Sequence, residues 1–370
     1  MSELSAVDCD ATAFHLLWAD GSRAECPHIW LRDNDPGELH PHTRERLFDL
    51  KSVSLDIRPE SWQLEASQLV VQWPEKSSDS HYPLDWLLAH RPGERRSDPA
   101  LVDRSYWSSR DLRDIPRFDA MSCRHSASLL MDALQTAKRL GLVIFDGLED
   151  DELAGESLGE LIGFKRRTNF GTTFEVVNKP SPNNLAYTAL PLPLHTDLPN
   201  QEQVPGYQFL HCLRNSVQGG GSTFADGFQI CSDLRAQLPE EFDLLSKLKI
   251  PWRFHDANDD VRYRRSIIDL DSTGELSALS FNAHIADVPD LPSAQLRDFY
   301  QAYQSLMLRI SDPRYLISHA LQPGEMVMFD NRRVLHGREG FDPASGERHL
   351  RGFYVEHNEV DSRIRTLAAV

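Results

Sequence analysis

The stretch Leu190–Pro199 reads LPLPLHTDLP, an imidazole and a carboxylate two residues apart in an apolar, proline-rich frame. Charge withdrawn from water is costly unless it is paired or bound to a metal. His195 and Asp197 are therefore either two ligands of one ion or polar groups at a rim where a strand meets solvent. Side chains at i and i+2 of an extended segment point to the same face, and the flanking prolines keep this segment extended. The spacing alone decides nothing, because 15 histidines among 56 acidic residues produce such pairs by chance; His357-Glu359 is a second one. No histidine follows His357, and its polar surroundings read as a solvated pair.

A site of two histidines and one carboxylate suits non-haem Fe(II) and leaves coordination positions open for chemistry. The second imidazole expected here is His336. It follows the Pro323-Gly324 turn and the run EMVMFDN, and it sits in RRVLHGREG, where Gly337 lets backbone approach closely. Beyond the turn-rich GFDPASGE lies Arg348, at the start of RHLRGFYVE. A hairpin there would bring its guanidinium alongside the metal, and arginine grips carboxylates in a bidentate manner. An open iron beside a carboxylate clamp describes a site for an oxo-acid cosubstrate; satisfied core and surface residues are the alternative.

These residues need a rigid frame, and the chain supplies mostly strand signals. FHLLWADGSRAECPHIWLRDN has two apolar runs around an Asp20-Gly21 hairpin turn. SVSLDIRP and QLVVQWP read as further strands, so residues 1–90 form a small β-rich domain. Residues 91–117, charged and proline-punctuated, read as a linker, although Tyr106 and Trp107 suit packing. From 118 to 370 the spacing predicts an amphipathic helix in SASLLMDALQTAKRLG, capped by Ser126 or Ser128 and stopped by Gly141, and another over Ser293–Ile310. Between them lie short strands: LVIFDG, GYQFLHCL, STFADGF, LSALSFNA, MVMFDN and HLRGFYVE. Many short strands with two strong helices predict a mainly β fold, a sandwich or jelly roll with flanking helices.

The net charge of −17 leaves no basic face for nucleic acid and mildly favours cationic small molecules. Five scattered cysteines without a CxxC suit reduced thiols. The start MSELSAVDCDATAF lacks the basic n-region of a signal peptide, and no apolar run approaches the ~18 residues of a membrane span. A soluble cytoplasmic protein is expected.

From FGTTFEV, NNLAYT and LHTDLP through PGYQFLHCL, GGGSTFADGF and LQPGEMVMFDNRRVLHGR to RHLRGFYVE, the chain resembles the Fe(II)/2-oxoglutarate dioxygenases of the TauD/TfdA superfamily. It is most similar to the γ-butyrobetaine hydroxylase and trimethyllysine dioxygenase branch, and IWLRDN extends the likeness into the N-terminal domain. The resemblance implies a double-stranded β-helix in which His195, Asp197 and His336 ligate Fe(II). Arg348, assisted by Ser222, would bind the distal carboxylate of 2-oxoglutarate. With O2 as cosubstrate, such an enzyme hydroxylates an unactivated C–H bond and releases succinate and CO2. Phe170, Phe174, Tyr187 and Tyr354 match an aromatic cage for a trimethylammonium group, which aromatic faces attract, and the branch is often homodimeric.

Two departures bear on substrate and metal. The family's zinc-binding cysteines fall on Asp35, Gly37 and His40 of RDNDPGELH, so a structural zinc is not expected. An arginine that usually follows a paired NN is missing from FNAHIAD, which leaves Asn184, Asn282 and His284 as polar candidates for the substrate's anionic end. The expected substrate is a small γ-butyrobetaine-like quaternary ammonium compound. A trimethylammonium alkylphosphonate and trimethyllysine are the alternatives; a non-catalytic jelly-roll binding protein or a zinc hydrolase are readings of other classes.

Overall fold

Period-two burial governs most of the chain, because each strand must bury one face and often both. The computed structural model describes residues 3–148, 151–179 and 185–369, which fall into two units, 1–98 and 99–370. In the first unit β1 (Leu4–Cys9), β2 (Ala13–Trp18) and β3 (Arg23–Pro27) form an antiparallel sheet, followed by α1 (His28–Asp33). A second antiparallel sheet holds β4 (Ser61–Leu64), β5 (Gln68–Gln72) and β6 (Ser80–Pro83), followed by α2 (Leu84–Ala89). The expected Asp20-Gly21 turn joins β2 to β3, with Gly21 at φ +85°. SVSLDIRP is not a strand: Leu55, between the half-buried Val53 and the buried Ile57, is exposed, so there is no continuous face for a sheet to bury.

The positions considered for zinc are closed by a salt bridge. The side chain of Asp35 is wholly buried; its Oδ2 accepts from Lys76 Nζ at 2.6 Å and from the Ser80 hydroxyl, and its Oδ1 from the Gly37 N–H at 2.8 Å. His40 stands apart, its Nδ1 accepting from the Thr43 N–H.

Residues 99–117 are not a free linker but part of the second unit. Trp107 is buried, its indole N–H donating to the Leu140 carbonyl (2.6 Å) and its backbone N–H to Asp226 (3.0 Å). That carboxylate is itself fully buried and paired with Arg333 at 2.7 Å.

The second unit then runs β7 (Arg117–Asp119), α3 (Ala120–His125), α4 (Ala127–Leu140), β8 (Leu142–Asp146), α5 (Ala154–Ile162) and β9 (Thr173–Val177). Next come β10 (Leu192–His195), β11 (Tyr207–Asn215), β12 (Gln218–Gly219), β13 (Ser222–Asp226), α6 (Gly227–Gln237), α7 (Pro239–Lys247), β14 (Ile250–His255) and β15 (Asp260–Arg265). The chain closes with β16 (Ile268–Leu270), β17 (Leu276–Leu279), α8 (Ser293–Ile310), β18 (Ile317–His319), β19 (Met326–Asp330), β20 (Val334–Arg338), β21 (Phe341–Asp342), β22 (Arg348–Val355) and α9 (His357–Ala368). Both predicted helices are present: Ser126 caps α4, Gly141 ends it at φ +87°, and α8 spans the predicted residues. No helix among the described residues is long and apolar enough to cross a membrane.

Two sheets make the jelly roll. One has the order β7-β8-β19-β11-β22-β9, the other β10-β20-β13-β18. Alternation divides the larger sheet between two cores. Val143, Phe145, Phe209, Met328, Phe353 and Val355 pack against α4, α5 and α9. Their neighbours Leu142, Ile144, Leu210, Phe329 and Leu350 join Phe224 and Val334 of the smaller sheet in a second core. By the same period Arg348 and Tyr354 share the inward face of β22 with Leu350.

Candidate active site

Strand pairing explains how residues 141 positions apart meet. His195 ends β10 and lies directly opposite His336 on β20, and the two rings are 4.3 Å apart between centroids. Gly337 is required for this closeness, since a Cβ there would come within 2.5 Å of the Leu192 carbonyl. Asp197 follows in an extension braced on two sides. The Thr196 N–H donates to the Phe281 carbonyl (2.7 Å), and the Thr196 hydroxyl accepts from the Phe281 N–H (2.9 Å). The buried Asn331 carboxamide accepts from the Asp197 N–H (2.6 Å) and donates to its carbonyl (3.1 Å). Leu198 then adopts φ +59°, a strained conformation for a branched residue that the surrounding bonds must hold in place.

The donor atoms converge on one point. His195 Nε2 lies 3.3 Å and His336 Nε2 3.8 Å from Asp197 Oδ1, and the three ligand atoms all fall within 4.8 Å of one another. Ligands bonded at ~2.1 Å to one ion stand roughly 3 Å apart when adjacent, so small movements would seat a metal. The hydrogen bonding makes the stronger argument. His195 Nδ1 donates to the Pro193 carbonyl at 2.9 Å, which turns its Nε2 toward Asp197 Oδ1. Burial, and then His195, push His336 down to about 3. Burial opposes ionisation of Asp197, but His336, His195 and the Tyr354 hydroxyl outweigh it and hold the carboxyl below its ordinary range. Two imidazole nitrogens and a carboxylate oxygen thus converge with no lysine or arginine paired to that carboxylate among the described residues. The donor set, two imidazoles and one carboxylate, fits Fe(II).

Asp197 and His195 border a cavity of about 320 Å³. The four residues expected to form a cage, Phe170, Phe174, Tyr187 and Tyr354, all line it. Phe174 and Tyr354 lie 5.3 Å apart, and Phe170 meets Phe254 edge-on at 5.2 Å. Lys179 already places its ammonium 3.7 Å above Tyr187, so only the opposite face of that ring is left for a ligand. Tyr354 does more than line the wall: its hydroxyl donates to Asp197 Oδ2 at 2.7 Å, leaving Oδ1 to face the imidazoles.

Arg348 reaches its place differently from the hairpin expected. β20 and β22 belong to different sheets, and the intervening β21 pairs with β12. The guanidinium is buried, borders a second cavity rather than the first, and donates from Nε to the Gly220 carbonyl (3.2 Å). No carboxylate pairs with it among the described residues, and burial together with Arg338 pushes it down to about 10. An inward-facing, unpaired arginine calls for an anion. Ser222 is buried two residues from Gly220, but no hydrogen bond joins it to Arg348 among the described residues.

The polar candidates for the substrate's anionic end divide. Asn184 lies outside the described residues. Asn282 and His284 line the cavity, and the Asn282 amide is oriented by the chain, donating one N–H to the Thr196 carbonyl and accepting from the His284 N–H. His357 is not solvated as expected: its Nε2 is bound to Asp330 at 2.8 Å and its ring meets Tyr207 edge-on. Sequence reasoning passed over Asn331, inside the strand-like MVMFDN, and Arg253 and His255 of β14, which also line the cavity. A charged residue breaking the apolar run IPWRFH was the signal available for Arg253.

Comparison with known proteins agrees with this geometry. Residues 111–354 match the family described as taurine catabolism dioxygenase TauD, TfdA, and residues 6–88 match the γ-butyrobetaine hydroxylase-like N-terminal family. A γ-butyrobetaine dioxygenase of Pseudomonas sp. (strain AK-1) is 35% identical over 99% of this chain and 97% of its own. A trimethyllysine dioxygenase of Meyerozyma guilliermondii is 27% identical over 97% and 94%. Among solved structures, an asparagine oxygenase in complex with Fe(II), hydroxyasparagine and succinate shares the fold with a TM-score of 0.51 at 17% identity, over 64% of this chain and 83% of its own. The chain belongs to the TauD/TfdA dioxygenase family.

Proposed function

We propose that this Fe(II)- and 2-oxoglutarate-dependent dioxygenase hydroxylates an unactivated C–H bond of a small γ-butyrobetaine-like trimethylammonium substrate, consuming O2 and 2-oxoglutarate and releasing succinate and CO2. The observation that carries the reading is one cavity bounded both by His195 and Asp197 and by four aromatic rings. A quaternary ammonium cannot donate hydrogen bonds, so it is held by ring faces, each contact contributing about 0.5–2 kcal/mol.

Iron held by His195, Asp197 and His336 would supply the redox chemistry that couples cosubstrate decarboxylation to hydroxylation. The protein's part is placement. Pro193 fixes the His195 tautomer, Tyr354 and Asn331 orient Asp197, and Arg348 receives the distal carboxylate of 2-oxoglutarate. The rings hold the substrate's cationic end while the apolar wall around Leu192, Leu198 and Phe254 keeps water away from the reacting C–H bond.

The test is succinate release and O2 uptake by the iron-loaded enzyme with 2-oxoglutarate. The panel is γ-butyrobetaine, trimethyllysine and 2-(trimethylammonio)ethylphosphonate. Stimulation by γ-butyrobetaine above the other two is expected; succinate formation indifferent to all three sinks the proposal.

A further inference from the structure

The loop Phe281–Asp287 is held against β14: the Arg253 N–H donates to the Ile285 carbonyl at 2.9 Å, and Trp252 bridges Ala286. That pairing brings Arg253 to the wall of the same cavity that His195 and Asp197 border. Its fork is fixed from behind by Asp260, with Nε at 2.9 Å from Oδ1 and Nη2 at 3.0 Å from Oδ2, while Nη1 has no partner among the described residues. Asp260 does not belong to Arg253 alone. Arg262, directly across the β14–β15 pair, grips both oxygens of the same carboxylate, Nε at 2.8 Å. Like charges facing each other across a ladder are unfavourable, and two guanidinia sharing one carboxylate leave cationic donors unspent. The Arg253 side chain keeps about a third of its surface open, 31%.

We propose that Arg253 is the anion-recognising residue of the substrate site. It receives the carboxylate or phosphonate of a zwitterion whose trimethylammonium end lies among the rings, and it sets the preference for such zwitterions over simple cations. The idea rests on the trimethylammonium reading above. It is reasonable on chemical grounds: an arginine held by a carboxylate behind it is already oriented, so little entropy is lost when a second anion binds in front.

The experiment uses the iron-loaded enzyme with 2-oxoglutarate and three substrates sharing one cationic end: γ-butyrobetaine, its phosphonate counterpart, and the simple cation 4-(trimethylammonio)butan-1-ol, whose other end is a neutral hydroxyl. Calorimetric binding of each accompanies turnover. A hydrogen bond to a charged group is worth about 1.5–3 kcal/mol, so Arg253→Gln should lower kcat/KM and affinity for the anionic substrates about 10- to 100-fold. The alcohol should change less than about twofold, and KM for 2-oxoglutarate should not move. Arg262→Gln also removes a partner of Asp260 but does not border the cavity, and it should leave the anion preference intact. Equal losses on all three substrates, or the same loss in Arg262→Gln, overturn the assignment. If the wild type turns over none of the three, the substrate reading fails by itself. Calorimetry then still decides the role of Arg253: anion binding that is absent, or indifferent to Arg253→Gln, overturns it.

Discussion

Each unit contains a carboxylate drawn out of water, and the two are treated in opposite ways. Asp35 in the first unit meets Lys76, Ser80 and the Gly37 N–H; every strong acceptor has a donor and the charge is cancelled by the chain itself. Asp197 in the second unit has one donor for Oδ2, Tyr354, while Oδ1 faces two imidazoles and no lysine or arginine among the described residues. The first cluster is complete as folded and the second is not. Burial of a charged group therefore marks a site only where the chain withholds the counter-charge. Asp330 provides a third case in the catalytic unit, where the chain supplies the partners of one oxygen: Oδ1 accepts from His357 and from the Arg332 N–H.

The contrast can be broken most sharply at the open cluster. His195→Ala should abolish Fe(II) binding and substrate-coupled succinate release while circular dichroism stays native. Retained coupled turnover would mean that the cluster was as complete as that around Asp35. In the closed cluster, Lys76→Met strands a buried carboxylate and should destabilise residues 1–98 by about 3–5 kcal/mol in chemical denaturation. Chelators should leave the unfolding of that unit unchanged while they shift the iron-loaded second unit; a chelator effect on residues 1–98 would reveal a metal where the salt bridge stands.

Smaller effects sharpen the picture. Tyr187→Leu removes one cation-binding face and should raise KM for γ-butyrobetaine by roughly 3- to 30-fold, with KM for 2-oxoglutarate constant; an equal rise in both would contradict the cage. Burial opposes ionisation of Asp330, but His357 and its other partners outweigh it and lower its carboxyl to about 2. A carboxyl depressed in the folded state adds stability that is full above about pH 4 and is lost as pH falls toward 2, about 2 kcal/mol in all. Asp330→Asn should therefore flatten the acid limb of the stability curve in that window, and an unchanged limb would show that Asp330 is not partnered as described.

Much of this was legible in the residues because the signals were local. Ser126 and Gly141 bound α4, the Asp20-Gly21 turn makes a hairpin, and short apolar runs give β8, β11, β19 and β22. SVSLDIRP failed because alternation predicts a strand only where a neighbour buries one face, and Leu55 has none. Residues 99–117 failed as a linker because proline and charge describe the backbone, not what Trp107 packs against.

The sequence by itself offered the candidate ligands and their order from residue type, and the aromatic set from the family resemblance, since both are carried by residue identity without coordinates. Only the tertiary structure decided that His195 faces His336 across a ladder and that Arg348 arrives from the opposite sheet. It alone revealed that the Tyr354 hydroxyl is committed to Asp197 and that β14 carries Arg253 to the cavity wall. The physical reason is that pairing register and sheet membership are set by the burial of whole faces, through contacts between residues far apart in the chain. No local pattern encodes which distant partner supplies that burial.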